Sequence, residues 1–123
     1  MRKDIILYSP EAADQGAPLN GGGISIPKIK IVTGGITSLR VQDVNTKYGP
    51  KSDQIDVDVI VKINSVPQKA FGFKLRKDKN EITHKAMFDL LKDAFTKNLK
   101  VTIEYIETKG KNNFVLIRII VNK

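Results

Sequence analysis

The chain has 123 residues, no cysteine and a formal net charge of +8 at pH 7. That length suits one domain with an ordinary core, and without cysteine neither disulfides nor thiolate metal ligands contribute to it. No stretch reaches the roughly 7–15 apolar residues of a secretory signal or the roughly 20 of a membrane span, so we expect a cytoplasmic protein that does not enter membranes.

The first part of the chain is punctuated by glycine and proline. Residues 1–23 include "SPEAADQGAP" and "NGGG", and turn-forming residues at this density predict an arm rather than a packed unit. Residues 24–32 predict an added edge strand, because Pro27 has no N–H to donate to a β-ladder. We therefore divide the chain into an arm with an edge strand, residues 1–33, and a folded domain, residues 34–123.

Three strands are predicted at the start of the folded domain. The first covers residues 36–44. The second, residues 54–63, alternates strictly between two faces, and its apolar face is formed by Ile55, Val57, Val59, Val61 and Ile63. The third, residues 69–76, turns Lys74 and Arg76 outward.

One helix is predicted, over residues 80–98, with Asn80 as its N-cap. Its apolar residues recur at spacings near 3.6 in a stripe formed by Ile82, Ala86, Leu90, Leu91, Ala94 and Phe95. The only histidine, His84, has no facing carboxylate or further ligand at a fixed spacing, so we interpret it as a partly exposed helix residue. Two strands follow, residues 99–107 and 114–121.

The element order, three strands, a helix and two strands, resembles that of the OB-fold superfamily. The resemblance implies a mainly β fold with one helix, a five-stranded Greek-key barrel (β-β-β-α-β-β) preceded by the arm. Within that superfamily, the segment "FDLLKDAFTKNLKVTIEYIE" is similar in layout to the B subunits of bacterial AB5 toxins. Those subunits are exported and usually carry a disulfide, whereas this sequence has neither an apolar signal stretch nor a cysteine.

No arrangement of residues in the sequence indicates catalysis. Asp56 and Asp58 lie two apart on one strand, but Lys74 and Arg76 point outward from the next strand, so we interpret the acids as members of cross-strand ion pairs. The glycine runs precede strands and lack the lysine of a phosphate-binding loop. We therefore expect no enzyme, no metal site and no cofactor.

The resemblance to OB-folds directs attention to two loops. In OB-folds, the loop between the first two strands and the loop between the last two commonly embrace oligonucleotides or oligosaccharides. These loops would here be residues 45–53 and 108–113, and both are basic. Lysine neutralises phosphates, and tyrosine stacks on nucleobases. Together with the net positive charge, the loops favour a polyanionic partner.

We therefore expect a non-catalytic module that binds single-stranded nucleic acid, or another polyanion, with low sequence specificity. The predicted contacts are Lys47, Tyr48, Lys51, Lys109 and Lys111, with Lys74 and Arg76 as secondary contacts. The alternative is a structural subunit of a homo-oligomer, such as a viral (phage) particle, whose arm reaches onto neighbouring subunits. That alternative would place the protein in the virion, and it is favoured by the last strand, which is apolar on both faces apart from Arg118.

Overall fold

A computed structural model of the chain describes residues 5–8 and 28–122. Six strands are present: β1 (Ile5–Tyr8), β2 (Ile29–Val41), β3 (Val59–Ile63), β4 (Ala70–Phe73), β5 (Lys100–Ile106) and β6 (Asn113–Val121). One α-helix in these residues, α1 (Glu81–Thr96), joins β4 to β5, and a 3₁₀ turn (Lys51–Asp53) lies between β2 and β3. Within the described residues, no helix combines the length and the apolar character that crossing a membrane requires.

Strands β2 to β6 form a closed ring. The hydrogen-bonded order is β6-β4-β3-β2-β5, and a further pairing of β5 with β6 closes it. Every neighbouring pair is antiparallel except β4 and β6, which are parallel. Strand β1 pairs with residues Arg118 to Val121 of β6, along the edge of β6 that also pairs with β4. The prediction of a mainly β, barrel-like domain with one helix is confirmed for the described residues.

Strand β2 contributes to both halves of the ring. Residues 29–35 pair with β5, residues 36–41 pair with β3, and a bulge between Ile36 and Ser38 marks the change of partner. A bulge bends a strand and increases its twist, which lets a small sheet close on itself. A strand is confirmed over the described residues 29–32 of the predicted edge strand, but it is not separate, because β2 continues unbroken to Val41. Residues 1–4 and 9–27 of the predicted arm lie outside the described residues.

The main hydrophobic core fills the ring and the space beneath α1. Its buried strand residues include Val59, Val61, Ile63, Phe71, Phe73, Val101, Ile103, Leu116 and Ile119. The strict alternation predicted over residues 54–63 holds only from Val59 onward. Val57 instead packs with Ile60 and Ala70 in a separate cluster, because the chain bends at Asp58 before β3 begins.

Helix α1 has a different buried face from the one predicted. Its buried residues are His84, Met87, Leu91 and Ala94, whereas Ile82 is 88% exposed and Phe95 46% exposed. The interpretation of His84 as partly exposed is wrong, since the residue is fully buried and its ring centroid lies 5.4 Å from that of Phe73. The spacing of 3, 4 and 3 residues along the true face includes a histidine and a methionine, which a search for aliphatic residues passes over.

Adding a side chain at Gly72 in β4 is expected to lower the stability of the fold. A Cβ at this position would lie 2.7 Å from Val57 Cγ2 and 2.8 Å from the backbone oxygen of Val59. We expect Gly72→Ala to lower the free energy of unfolding by about 1–3 kcal/mol, because overpacking a buried site forces its neighbours to shift. Chemical denaturation measures this change. Gly35→Ala is the matched control, because its Cβ would meet nothing closer than 3.5 Å, and equal effects of the two substitutions would contradict the explanation.

Candidate nucleic-acid interface

The two loops predicted to bind a ligand are joined to each other through Asp53. Its carboxylate accepts hydrogen bonds from the backbone N–H groups of Asn112 (2.7 Å) and Asn113 (3.3 Å). The Asn113 side chain donates to the Asp53 carbonyl oxygen at 2.8 Å. Lys111 Nζ also donates to the carbonyl oxygen of Ser52. The loop before β3 and the loop before β6 therefore form one surface.

Local backbone geometry holds the first loop in place. Tyr48 and Ile55 form an isolated bridge with two backbone hydrogen bonds of 2.8 Å each. The turn between them contains Gly49 at φ +103°, and a Cβ there would collide with the Asp53 carbonyl oxygen, so this position requires glycine. Gln42 Nε2 donates to the carbonyl oxygen of Lys47 at 2.8 Å. The lysines of this loop, Lys47 and Lys51, are exposed.

A groove lies next to this surface, on the outer face of β2 and β3. It has a volume of about 560 Å³ and is lined by Thr37, Ser38, Arg40, Tyr48, Ile60, Lys62, Asn64 and Pro67. Tyr48 forms part of its wall, where it packs against the cluster containing Ile60. Asn64 and Pro67 contribute from the β3–β4 connection. The groove thus extends from the first basic loop across two strands to the next connection.

Positive charge dominates the groove. Its described lining contains two cations, Arg40 and Lys62, and no carboxylate. The guanidinium carbon of Arg40 lies 5.6 Å from the centroid of the Tyr48 ring, within the range of a cation–π contact. Tyr48 is half-buried, so its ring is held in place while part of it stays accessible. Proteins that bind single-stranded nucleic acid combine cations that contact phosphates with aromatic rings on which bases stack.

Sequence reasoning missed Arg40, Lys62 and Asn64 as candidate site residues. Arg40 faces Ile60, and Lys62 faces Ser38 across the β2–β3 pair. The signal was present in the alternation of residues 54–63, which turned Ile60 and Lys62 away from the apolar face. What the sequence could not supply is the bulge at Ile36 and Ser38, which sets the register between the two strands.

The predicted secondary contacts have different surroundings. Arg76 forms ion pairs with Asp58 (Nε to Oδ2, 2.8 Å) and Asp56 (Nη2 to Oδ1, 2.6 Å), which confirms the predicted ion pairing between residues just outside β3 and β4. The hydrogen bonds that Arg76 donates to Asp56 hold the pKa of Asp56 below its usual range, and the bonds that it donates to Asp58 and Asp56 raise the pKa of Arg76. Because two carboxylates balance its charge, Arg76 has little positive potential left for a phosphate. Lys74 is half-buried beside the same acids.

The remaining predicted contacts lie on the second loop. Lys109 is exposed and precedes Gly110, which has φ +78°. Lys111 is also exposed, although its ammonium group bonds to Ser52. The structure thus brings Lys51 and Lys111 to the joined loops and places Tyr48 at the edge of the groove. It leaves Lys74 and Arg76 with the carboxylates of the Asp56–Asp58 segment.

Removing the Asp53 carboxylate, which joins the two loops, is expected to change hydrogen exchange and stability. We expect Asp53→Ala to speed hydrogen exchange at the amides of Asn112 and Asn113 and to cost about 1–2 kcal/mol of stability, because both amides lose a charged acceptor at a partly exposed site. Residue-resolved exchange followed by NMR measures this. Asp43→Ala is the control, since Asp43 is an exposed acid of the same loop, and unchanged exchange in Asp53→Ala would show that the loops are held together by other contacts.

Comparison of the chain with protein families, with curated proteins and with solved structures finds no match. Among the described residues, no group of three or more histidine, aspartate or glutamate side chains is placed to hold a metal ion.

Proposed function

We propose that this protein is a non-catalytic module that binds single-stranded nucleic acid with low sequence specificity. The observation that carries the proposal is the groove on β2 and β3, where the guanidinium of Arg40 lies over the Tyr48 ring and Lys62 adds a second cation. The strand would enter across this groove and leave over the joined loops. Lys47, Lys51, Lys109 and Lys111 would neutralise its phosphates there, and Tyr48 would stack on a base.

We also propose that the barrel is an OB-fold. The strand order β5-β2-β3-β4 supports this, because three consecutive strands followed by a fourth that returns beside the first make a Greek key. Strand β6 then closes the ring between β4 and β5, and α1 lies in the long connection. OB-folds bind oligonucleotides on the face of their second and third strands and on the two loops named above. Here the joined loops are the same two loops, whereas the groove lies on the first and second barrel strands, β2 and β3. The agreement with the OB-fold pattern is therefore partial.

The stacking role of Tyr48 provides the test of the proposal. We expect Tyr48→Leu to weaken binding of oligo-dT by about 1–3 kcal/mol, the usual contribution of one aromatic–base stack. Tyr48→Phe is the matched control, because it keeps the ring and should bind like the wild type. Fluorescence anisotropy at fixed salt measures both. Equal affinities of the leucine variant and the wild-type protein would remove Tyr48 from the interface.

The assembly alternative is favoured by one observation. Strand β1 is a four-residue element that adds to the edge of β6 beyond β4, and Ile5 and Ile6 are half-exposed there. The same pairing could be made by β1 of a neighbouring subunit, since exchange of an identical element is a common route to homo-oligomers. Under this alternative, deleting residues 1–8 would convert an oligomer to a smaller species in sedimentation. A wild-type protein that already sediments as a monomer would exclude the alternative.

A further inference from the structure

Gln42 holds the peptide unit that leads into Tyr48. Its side-chain amide nitrogen, Nε2, donates to the carbonyl oxygen of Lys47 at 2.8 Å. At the other end of the same peptide unit, the N–H of Tyr48 donates to the carbonyl oxygen of Ile55 at 2.8 Å. Because a peptide unit is planar, bonds at both of its polar atoms fix its orientation, and with it the direction in which the Tyr48 side chain leaves the backbone.

The other contacts of Gln42 attach it to the segment that enters β3. Its Nε2 also donates to the carbonyl oxygen of Val57 at 3.3 Å, and its backbone N–H donates to that of Asp58 at 2.8 Å. Both acceptors of the side chain are carbonyl oxygens, which only the NH₂ end of an amide can serve. Val57 is fully buried and belongs to the cluster on which Tyr48 packs. Gln42 therefore ties the backbone before Tyr48 to the buried surface beneath its ring.

The backbone at Lys47 needs such a restraint. Lys47 has φ +61°, a left-handed conformation that costs free energy in a residue with a β-carbon. Residues stay in such conformations only when the surrounding structure holds them there. The carbonyl group that accepts the bond from Gln42 is that of Lys47 itself, so this bond acts at the strained position.

We infer that Gln42 is a positioning residue for base stacking, which acts on a bound strand through Tyr48. This inference depends on the proposed binding of single strands. The described lining of the groove includes Tyr48 but not Gln42. Loss of the Gln42 amide should therefore weaken the stack on a base while the phosphate contacts, and the salt dependence that they produce, stay as they are.

The test compares oligo-dT with a deoxyribose-phosphate strand of equal length that carries no bases. Gln42→Met keeps the length of the side chain and removes the donor. One aromatic–base stack corresponds to about a five- to 150-fold change in affinity, and we expect Gln42→Met to weaken oligo-dT binding by at least about three-fold. Its affinity for the strand without bases should stay within about 1.5-fold of the wild type, with equal salt slopes. Fluorescence anisotropy measures both.

Two comparisons separate the donor from the packing of the side chain. Gln42→Ala should reproduce the result, because it removes the same donor without adding a sulfur atom. Gln54→Met is the matched control, since Gln54 lies in the same loop and its bond to the Gly49 carbonyl oxygen is long, at 3.5 Å. It should bind both strands like the wild type. Thermal unfolding of each variant checks that folded proteins are compared.

A double-mutant cycle shows whether Gln42 acts through Tyr48. In a Tyr48→Leu protein, Gln42→Met should have no further effect on oligo-dT binding, because the ring that it positions is gone. A full additional loss would overturn the inference. So would equal losses on the two strands, or a wild-type protein that binds both strands equally well, and either result would leave binding through the phosphates standing. Failure of the wild type to bind either strand would refute the proposed function instead.

Discussion

Replacing Arg76 with alanine is expected to lower the free energy of unfolding by about 3–5 kcal/mol, because it leaves a buried carboxylate without its partner. The Asp58 side chain is 3% exposed, and it accepts bonds from Arg76 and from the backbone N–H of Leu75 at 2.9 Å. Asp56 is more exposed and better hydrated, so its pair with Arg76 contributes less. Urea denaturation monitored by circular dichroism measures the effect.

Two further substitutions show whether the uncompensated charge is the cause. Arg76→Ala combined with Asp58→Asn should recover part of the lost stability, since the buried charge is then removed as well. Lys77→Ala, at an exposed neighbouring position, should change the stability by less than about 0.5 kcal/mol. If the double variant is no more stable than Arg76→Ala, packing of the arginine rather than charge accounts for the loss.

The acid dependence of stability gives an independent check on this network. Arg76 holds the pKa of Asp56 below its ordinary value of 3.8. The folded state therefore favours the ionised carboxylate more than the unfolded state does. The resulting stabilisation is present above that ordinary value and is lost as the pH falls through the lower pKa of the folded state. The stability difference between the wild type and Arg76→Ala should therefore shrink under acid conditions.

Reversing both groove cations should produce the largest loss of binding. We expect Arg40→Glu combined with Lys62→Glu to weaken oligo-dT binding by at least about a hundred-fold at low salt, since two attractive phosphate contacts become repulsive. The remaining affinity should depend less steeply on salt, with the log–log slope reduced by about 0.7 for each phosphate contact that is lost. Anisotropy titrations at several salt concentrations measure both quantities.

The control for this double variant changes the net charge by the same amount elsewhere. Lys85 on α1 and Lys100 at the start of β5 are exposed and belong to neither the groove nor the joined loops. Lys85→Glu combined with Lys100→Glu should weaken binding only by the loss of general attraction, to within about ten-fold of the wild type. Equal losses in the two double variants would mean that binding follows net charge alone and has no site on β2 and β3.

The order of the barrel strands and the helix could be predicted from the sequence, because alternation and helical spacing are local patterns. Strand β1 was not predicted, since its four residues lie in the segment interpreted as an arm. The closure of the ring does not follow from those patterns and was implied only by the resemblance to OB-folds, since it depends on the bulge between Ile36 and Ser38 where β2 changes partner. The same bulge sets which residues of β2 face Ile60 and Lys62. For this reason the basic loops were visible in the sequence, while the groove beside them was not.

Two errors have a shared physical origin. His84 was assigned to the exposed side of α1, and Val57 was placed on the same face as Val59. Each assignment extended a local pattern without the tertiary contacts that override it. His84 faces Phe73 in the core, and Val57, which precedes the bend at Asp58, packs with Ile60. The ion pairs of Arg76 were predicted correctly, although the three residues lie just outside β3 and β4 and Asp58 is buried rather than facing outward.

Binding of the wild-type protein to labelled oligo-dT over a series of salt concentrations tests the central claim most directly. The proposal predicts measurable affinity near physiological salt that falls along a straight line in a log–log plot, with a slope of about −0.7 for each phosphate neutralised on a single strand. Sedimentation of the same samples should show complexes of defined stoichiometry. No binding near physiological salt, together with sedimentation of the free protein as a defined oligomer, would contradict the proposal and favour assembly through β1.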